Sequence, residues 1–279
     1  MPATQIAQNL AFINWTVLTG LAVGSYAAVY LLRWRSTATS GYLGFTTACA
    51  IGAGLLAWAS DLGLPGSLGD SPVVVDSSWD GPRGAALGLL SLLAAAGLVA
   101  RRVRPAAALP IETAALAAGG ATLAFGALAW GGAAVGSASL LVQLLIVSGA
   151  TGGVFAAMIL GHWYLVTPKL PEAPLILISR ILLAVVGLQV VLFWAWIALG
   201  AGPAGGAPFA ALVGPWALFV WLRLIVGLVF PLIVSWASVQ TARSRSMESA
   251  TGLLYINVGS IAAGTILAAG LYFGAGLLV

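Results

Sequence analysis

Eight runs of about 20 apolar residues follow one another along this chain, each long enough to cross the hydrocarbon core of a bilayer. They cover residues 10–32, 41–62, 84–100, 108–131, 138–165, 174–200, 209–240 and 249–278. The runs are continuous, without the strict alternation of barrel strands, so helices are the only spanning form open to them. The expected fold class is all-α: a polytopic, multi-pass membrane protein with eight transmembrane helices. Charged residues make up only 6% of the chain, against about 25% in a soluble globule. Met1 to Asn9 contain no Lys or Arg, so the basic start of a cleavable signal is missing and the first helix is expected to remain.

The few charges set the expected orientation. Loops after the first, third, fifth and seventh runs hold Arg33 and Arg35, then Arg101, Arg102 and Arg104, then Lys169, then Arg243 and Arg245. The opposite loops hold Arg83 against Asp70, Asp76 and Asp80. Under the positive-inside rule both termini face outward, in a cytoplasmic (inner) membrane. The net charge of +4 is thus a matter of topology, and no nucleic-acid partner is implied. The longest outer loop, from Gly63 to Pro82, is too polar to span; it either covers the outer face, docks a partner or is an ordinary surface loop.

An internal echo suggests duplication. The segment Thr19 to Ala28 returns 129 positions on, at Ser148 to Ala157, and Ile111-Glu112-Thr113-Ala114 is answered by Met247-Glu248-Ser249-Ala250. Both halves, 1–133 and 134–279, begin on the same side, so the repeat is expected to be parallel, as two four-helix bundles. Glycines inside the helices, such as Gly20, Gly24, Gly149, Gly152 and Gly153, are read as points of close helix packing.

Ionisable groups at membrane depth cost about 2.5–3.5 kcal/mol at a helix centre, so each needs a reason. Arg223 stands in the apolar run Trp221-Leu222-Arg223-Leu224-Ile225, and Asp61 ends the second run on the same side. The pair is read either as a structural ion pair, with snorkelling of Arg223 as a variant, or as a site where the cation orients an anion or a quinone carbonyl. On the basic side, Glu112 and Glu248 occupy matching first turns, while His162 and Arg180 flank the fifth loop. Capping of the helix dipole accounts for the glutamates, and an interfacial hydrogen bond beside Trp163 and Tyr164 for the histidine. A proton path through Glu112, His162, Arg180 and Glu248 is the functional alternative. With one histidine, one cysteine (Cys49) and no ligand cluster, no haem or metal bound by this chain alone is expected.

Three segments together resemble the NrfD and polysulfide-reductase type membrane anchors, a family that includes the anchor of dimethyl sulfoxide reductase. Gly20-Leu21-Ala22-Val23-Gly24-Ser25-Tyr26-Ala27-Ala28 is similar to its glycine-rich first motif. Asp61-Leu62-Gly63-Leu64-Pro65 resembles its Asp-Leu-Gly-Arg-Pro, with Leu64 at the arginine position, and Val226 to Ile233 resembles its Gly-x-x-x-Pro segment. The resemblance implies a cofactor-free subunit that binds quinone or quinol near the outer face, through Asp61, and exchanges electrons with an iron-sulfur partner docked there. The residues alone leave two rivals open: a small anion transporter using Arg223, and a purely structural membrane anchor.

Overall fold

The computed structural model describes residues 1–167 and 170–279. Lys169, one of the cations used to orient the chain, lies outside the described residues. Among those residues the chain is all-helical, with eight helices long and apolar enough to cross a membrane. This is a multi-pass membrane protein.

A short helix α1 (Pro2–Gln8) leads into α2 (Leu10–Arg35), α3 (Ser40–Asp61), α4 (Asp80–Val103) and α5 (Pro105–Trp130). The rest comprises α6 (Ala134–Val166), α7 (Ala173–Leu199), α8 (Ala217–Leu224), α9 (Phe230–Arg243) and α10 (Met247–Ala275). Helices α8 and α9 are one membrane crossing interrupted by a π turn over Ile225–Val229. The apolar run predicts this crossing from residue 209. Gly214, at φ 93°, and Pro215 instead hold the chain out of a helix until Ala217, leaving only a 3-10 turn at Ala210–Leu212. The third crossing starts earlier than expected, at Asp80, because Pro82 is compatible with a first helical turn and Asp80 suits the dipole there.

Helix α2 packs on α3 and α6, α4 packs on both α3 and α5, and α7 and α10 each pack on α6 and α9. The central helix is α6, of 33 residues, which also touches α3 and α5. Lipid tails are as apolar as the side chains, so burial of apolar surface does little to join these helices and close backbone approach must contribute. The closest approach is between α2 and α6. A Cβ built on Gly24 would lie 1.8 Å from the Ser148 carbonyl oxygen, and one on Gly152 would lie 2.0 Å from the Ser25 backbone nitrogen. Ser25 Oγ also donates to the Gly152 carbonyl at 3.2 Å. The two similar glycine-rich segments therefore cross each other with backbone against backbone. In this crossing Gly24 faces Gly152, one position short of the offset by which the sequence aligns.

The two ends of the bundle differ. One, the basic end, carries the clustered arginines. At the other, the loop after α3 folds over the bundle: Leu68 and Val73 are buried, Asp76 N–H donates to the Ala129 carbonyl at 2.8 Å, and Trp79 stacks on Phe125 with ring centres 5.5 Å apart. Ser78 donates to Asp76 through both its hydroxyl and its N–H, which holds the Asp76 carboxyl below the usual carboxylate range. Three loops meet at Gly276, whose φ of 66° and tight contacts with Pro72 and Ala204 admit no side chain.

Candidate functional site at the arginine-poor end

Asp61 and Arg223 are both buried at this end but are not joined. Helix α3 lies against α2 and α4, so the neighbour available to Asp61 is Arg83, in the first turn of α4. Arg83 Nε donates to Asp61 Oδ1 at 2.7 Å, and its Nη1 lies 2.9 Å from Asp80 Oδ1. Only 1% of Arg83 is exposed, and its guanidinium sits 4.8 Å from the Trp130 ring centre and 5.9 Å from that of Trp15. Those indoles meet edge to face at 4.7 Å. A buried cation is thus held by one buried carboxylate, one partly exposed carboxylate and two aromatic faces.

Arg223 is 2% exposed and has no acidic partner among the described residues. Its Nη2 donates to Gln189 Oε1 of α7 at 2.7 Å and its Nη1 to the Gly227 carbonyl at 3.1 Å. The second bond has a local cause. Pro231 has no N–H, so the Gly227 carbonyl four residues earlier lacks its α-helical donor, and the proline ring widens the turn into the π form. Gly227 and Gly264 bring α10 close enough for the guanidinium to fill the remaining space, since a Cβ on Gly264 would lie 2.9 Å from Nη1. Arg223 therefore mends the break that Pro231 makes. Pro231→Ala supplies the missing N–H, so Arg223→Leu should cost about 1 kcal/mol less in that background than alone. A double-mutant cycle of unfolding in mixed micelles measures this; equal costs in both backgrounds would remove Pro231 from the account.

Two adjoining clefts open at the same end. One, of about 260 Å³, lies among Ile197, Gly205, Ala211, Trp216 and Leu277. The other, of about 560 Å³, lies among Pro72, Trp130, Gly132, Ser139 and Pro203. They share Trp196, Gly200, Ala201 and Leu278 as a common wall. Trp196 Nε1 donates to Gln143 Oε1 at 3.2 Å, and Gln143 Nε2 donates to the Val279 carbonyl at 2.7 Å, which fixes the indole in the wall. Trp130 links the larger cleft to Arg83 and Asp61 behind it. Arg223 lies two turns below Trp216, about 10 Å at 1.5 Å per residue.

At the basic end the four residues considered for a proton path are not in contact with one another. Glu112 is 1% exposed and binds Arg33 and Arg101, from α2 and α4. Glu248 and Arg180 are exposed on α10 and α7. His162 is exposed near the end of α6, its Nδ1 3.3 Å from the hydroxyl of exposed Tyr255. The matching glutamates have different surroundings because the arginines near Glu248 are otherwise placed: Arg245 pairs with Glu172 at 2.7 Å. That contact holds the Glu172 carboxyl below its usual range, so the pair persists at neutral pH and is lost as pH falls through the lowered pKa. It is exposed and adds little to stability.

The sequence alone does not mark Arg83, Gln189 or Trp196 as site residues. Gln189 carried a usable signal, an amide within the apolar run Val185 to Phe193. Arg83, the lone arginine among aspartates, read as a loop residue. No family model, curated protein or solved structure matches the chain.

Proposed function

We propose that this chain is a cofactor-free subunit of a respiratory oxidoreductase complex in the cytoplasmic membrane, binding quinone or quinol at the arginine-poor end. That end would face outward, with both termini, and an iron-sulfur partner would dock on it. The observation that carries the reading is the pair of clefts with a common Trp196 wall, backed through Trp130 by the buried Arg83–Asp61 pair. A flat quinone ring suits an aromatic wall, and in the glycine-rich turn at 200–206 the N–H groups of Gly202 and Gly206, which have no partner among the described residues, are left for a carbonyl oxygen. The cleft residues include no ionisable side chain. Quinol oxidation there would release its two protons to water at the open mouth while its two electrons passed to the partner.

The resemblance of Gly20 to Ala28, Asp61 to Pro65 and Val226 to Ile233 to the NrfD-type anchors supports the partner assignment. In this reading Asp61 acts through Arg83, and Arg223 positions the helix below Trp216. A tandem, parallel duplication is part of the proposal and draws support from the α2/α6 crossing. The same crossing counts against transport: a carrier holding substrate between its halves needs space where Gly24 and Gly152 leave none.

Photolabelling of the membrane-embedded chain with an azidoquinone tests the site. Label is expected within 130–139 and 196–216, and Trp196→Ala should reduce it about tenfold, roughly 1.4 kcal/mol of binding. Label spread evenly over lipid-facing helices, or unaffected by Trp196→Ala, would refute the assignment.

A further inference from the structure

A third cleft, of about 410 Å³, lies at the basic end and differs in charge from the two at the arginine-poor end. It lies between the ends of α2 and α4 and the start of α3, lined by Arg33, Ser40, Leu43, Leu98, Arg101 and Arg102. Three arginines thus line one space, and the acid that two of them bind, Glu112, is buried. Glu112 binds Arg33 through one carboxylate oxygen and Arg101 through the other. Its single charge leaves the group of three arginines with an excess of two. Arg35 and Arg104, both exposed near the same helix ends, have no ion-pair partner among the described residues and raise the local potential further.

Glu112 also fixes where these cations stand. It projects from α5 against Gly97 of α4, where a Cβ would come within 2.8 Å of its Cγ, so the carboxylate has no room to turn away. Arg33 and Arg101 are tied to it from two different helices. Their remaining N–H groups are thereby pre-positioned, and the ordering cost on binding an anion is already met. Helix α3 adds donors of another kind. It begins at Ser40; Thr39 Oγ1 accepts the N–H of Tyr42 and the Thr39 carbonyl that of Leu43, leaving those of Ser40 and Gly41 open beside the Ser40 hydroxyl. Guanidiniums, a hydroxyl and free N–H groups converging on one space is the donor set that a phosphate takes.

The cleft is not purely aqueous. Leu43 and Leu98 form its apolar side, and Gly44 lies against Leu98 with a Cβ distance of 3.8 Å. From there the outer faces of α3 and α4 present Phe45, Leu92 and Val99, all exposed, toward the hydrocarbon. Trp163 packs on Gly41 and lies 6.4 Å from Phe45, ring centre to centre, as interfacial aromatics do. A bound molecule must therefore be anionic at one end and apolar along the other. We infer that this cleft binds the phosphate of an anionic membrane phospholipid, with its acyl chains lying along α3 and α4. Basic pockets between transmembrane helices are suited to such headgroups. The site does not depend on the quinone reading.

Arg33 and Arg101 are poor places for a test, because removing either disturbs Glu112. Arg102 and Ser40 are exposed at the rim. The full chain in detergent is titrated by native mass spectrometry with phosphatidylglycerol, with phosphatidylcholine of the same acyl chains, and with inorganic phosphate. Phosphatidylglycerol should bind at least tenfold more tightly than phosphatidylcholine. Arg102→Gln should weaken it about fivefold, and Ser40→Asp, which brings a negative charge to the phosphate position, by at least as much. Neither variant should change phosphatidylcholine binding. Equal affinity for the two lipids, or unchanged phosphatidylglycerol affinity in both variants, would overturn the proposal. Displacement of the lipid by millimolar inorganic phosphate would also overturn it, by making the ligand a soluble phosphate.

Discussion

Asp61→Leu should destabilise the folded chain by about 3–5 kcal/mol, because it leaves the Arg83 guanidinium buried without its buried counter-ion. Arg83 is 1% exposed, so snorkelling to water requires the loop above it to unpack, and Asp80 is itself partly exposed and a weaker partner. The Trp130 and Trp15 faces soften the loss but carry no charge. The comparison that isolates the cause is Asp61→Leu combined with Arg83→Met, which removes both charges. That double variant should recover most of the lost stability, since exchanging a whole buried pair for apolar groups is often close to neutral. Unfolding in mixed micelles measures both. A single variant as stable as the parent chain would show that water reaches Arg83.

Gly24→Ala and Gly152→Ala should each lose about 2–3 kcal/mol, while Gly153→Ala, one residue away in the same repeat, should be tolerated. A Cβ at Gly24 meets a backbone carbonyl at 1.8 Å and one at Gly152 a backbone nitrogen at 2.0 Å, so helices rather than side chains would have to move. The nearest atom to a Cβ at Gly153 is a Leu182 methyl at 4.0 Å. The contrast matters because all three positions would look equivalent as small residues in a glycine-rich motif. Equal effects of the three substitutions, read from micellar unfolding midpoints, would mean that the α2/α6 crossing is looser than described.

The parts of this fold that depend on local composition were readable in advance. Eight crossings follow from continuous apolar runs, since a backbone in lipid has little choice but to be helical. Burial of Arg83 was not readable, because it depends on the loop from Gly63 to Pro82 folding back over the helix ends, a non-local event with no periodic signal. The partner of Arg223 was half readable. A cation in an apolar run demands an acceptor, but Gln189 is 34 residues away, and only the packing of α7 on the broken crossing selects it. Glu112 and Glu248 teach the converse. Their sequences are alike, yet one is sealed between two arginines and the other is exposed, because only the first is reached by arginines in the last turns of two neighbouring helices.

Trp15 and Trp130, locked nearly perpendicular beside a guanidinium, have one more use. Two indole chromophores in rigid chiral contact couple optically, and the coupling vanishes when their helices part. The part of the near-ultraviolet circular dichroism that Trp15→Phe removes can therefore report, before a ligand or redox partner is in hand, whether a variant keeps these two helices together.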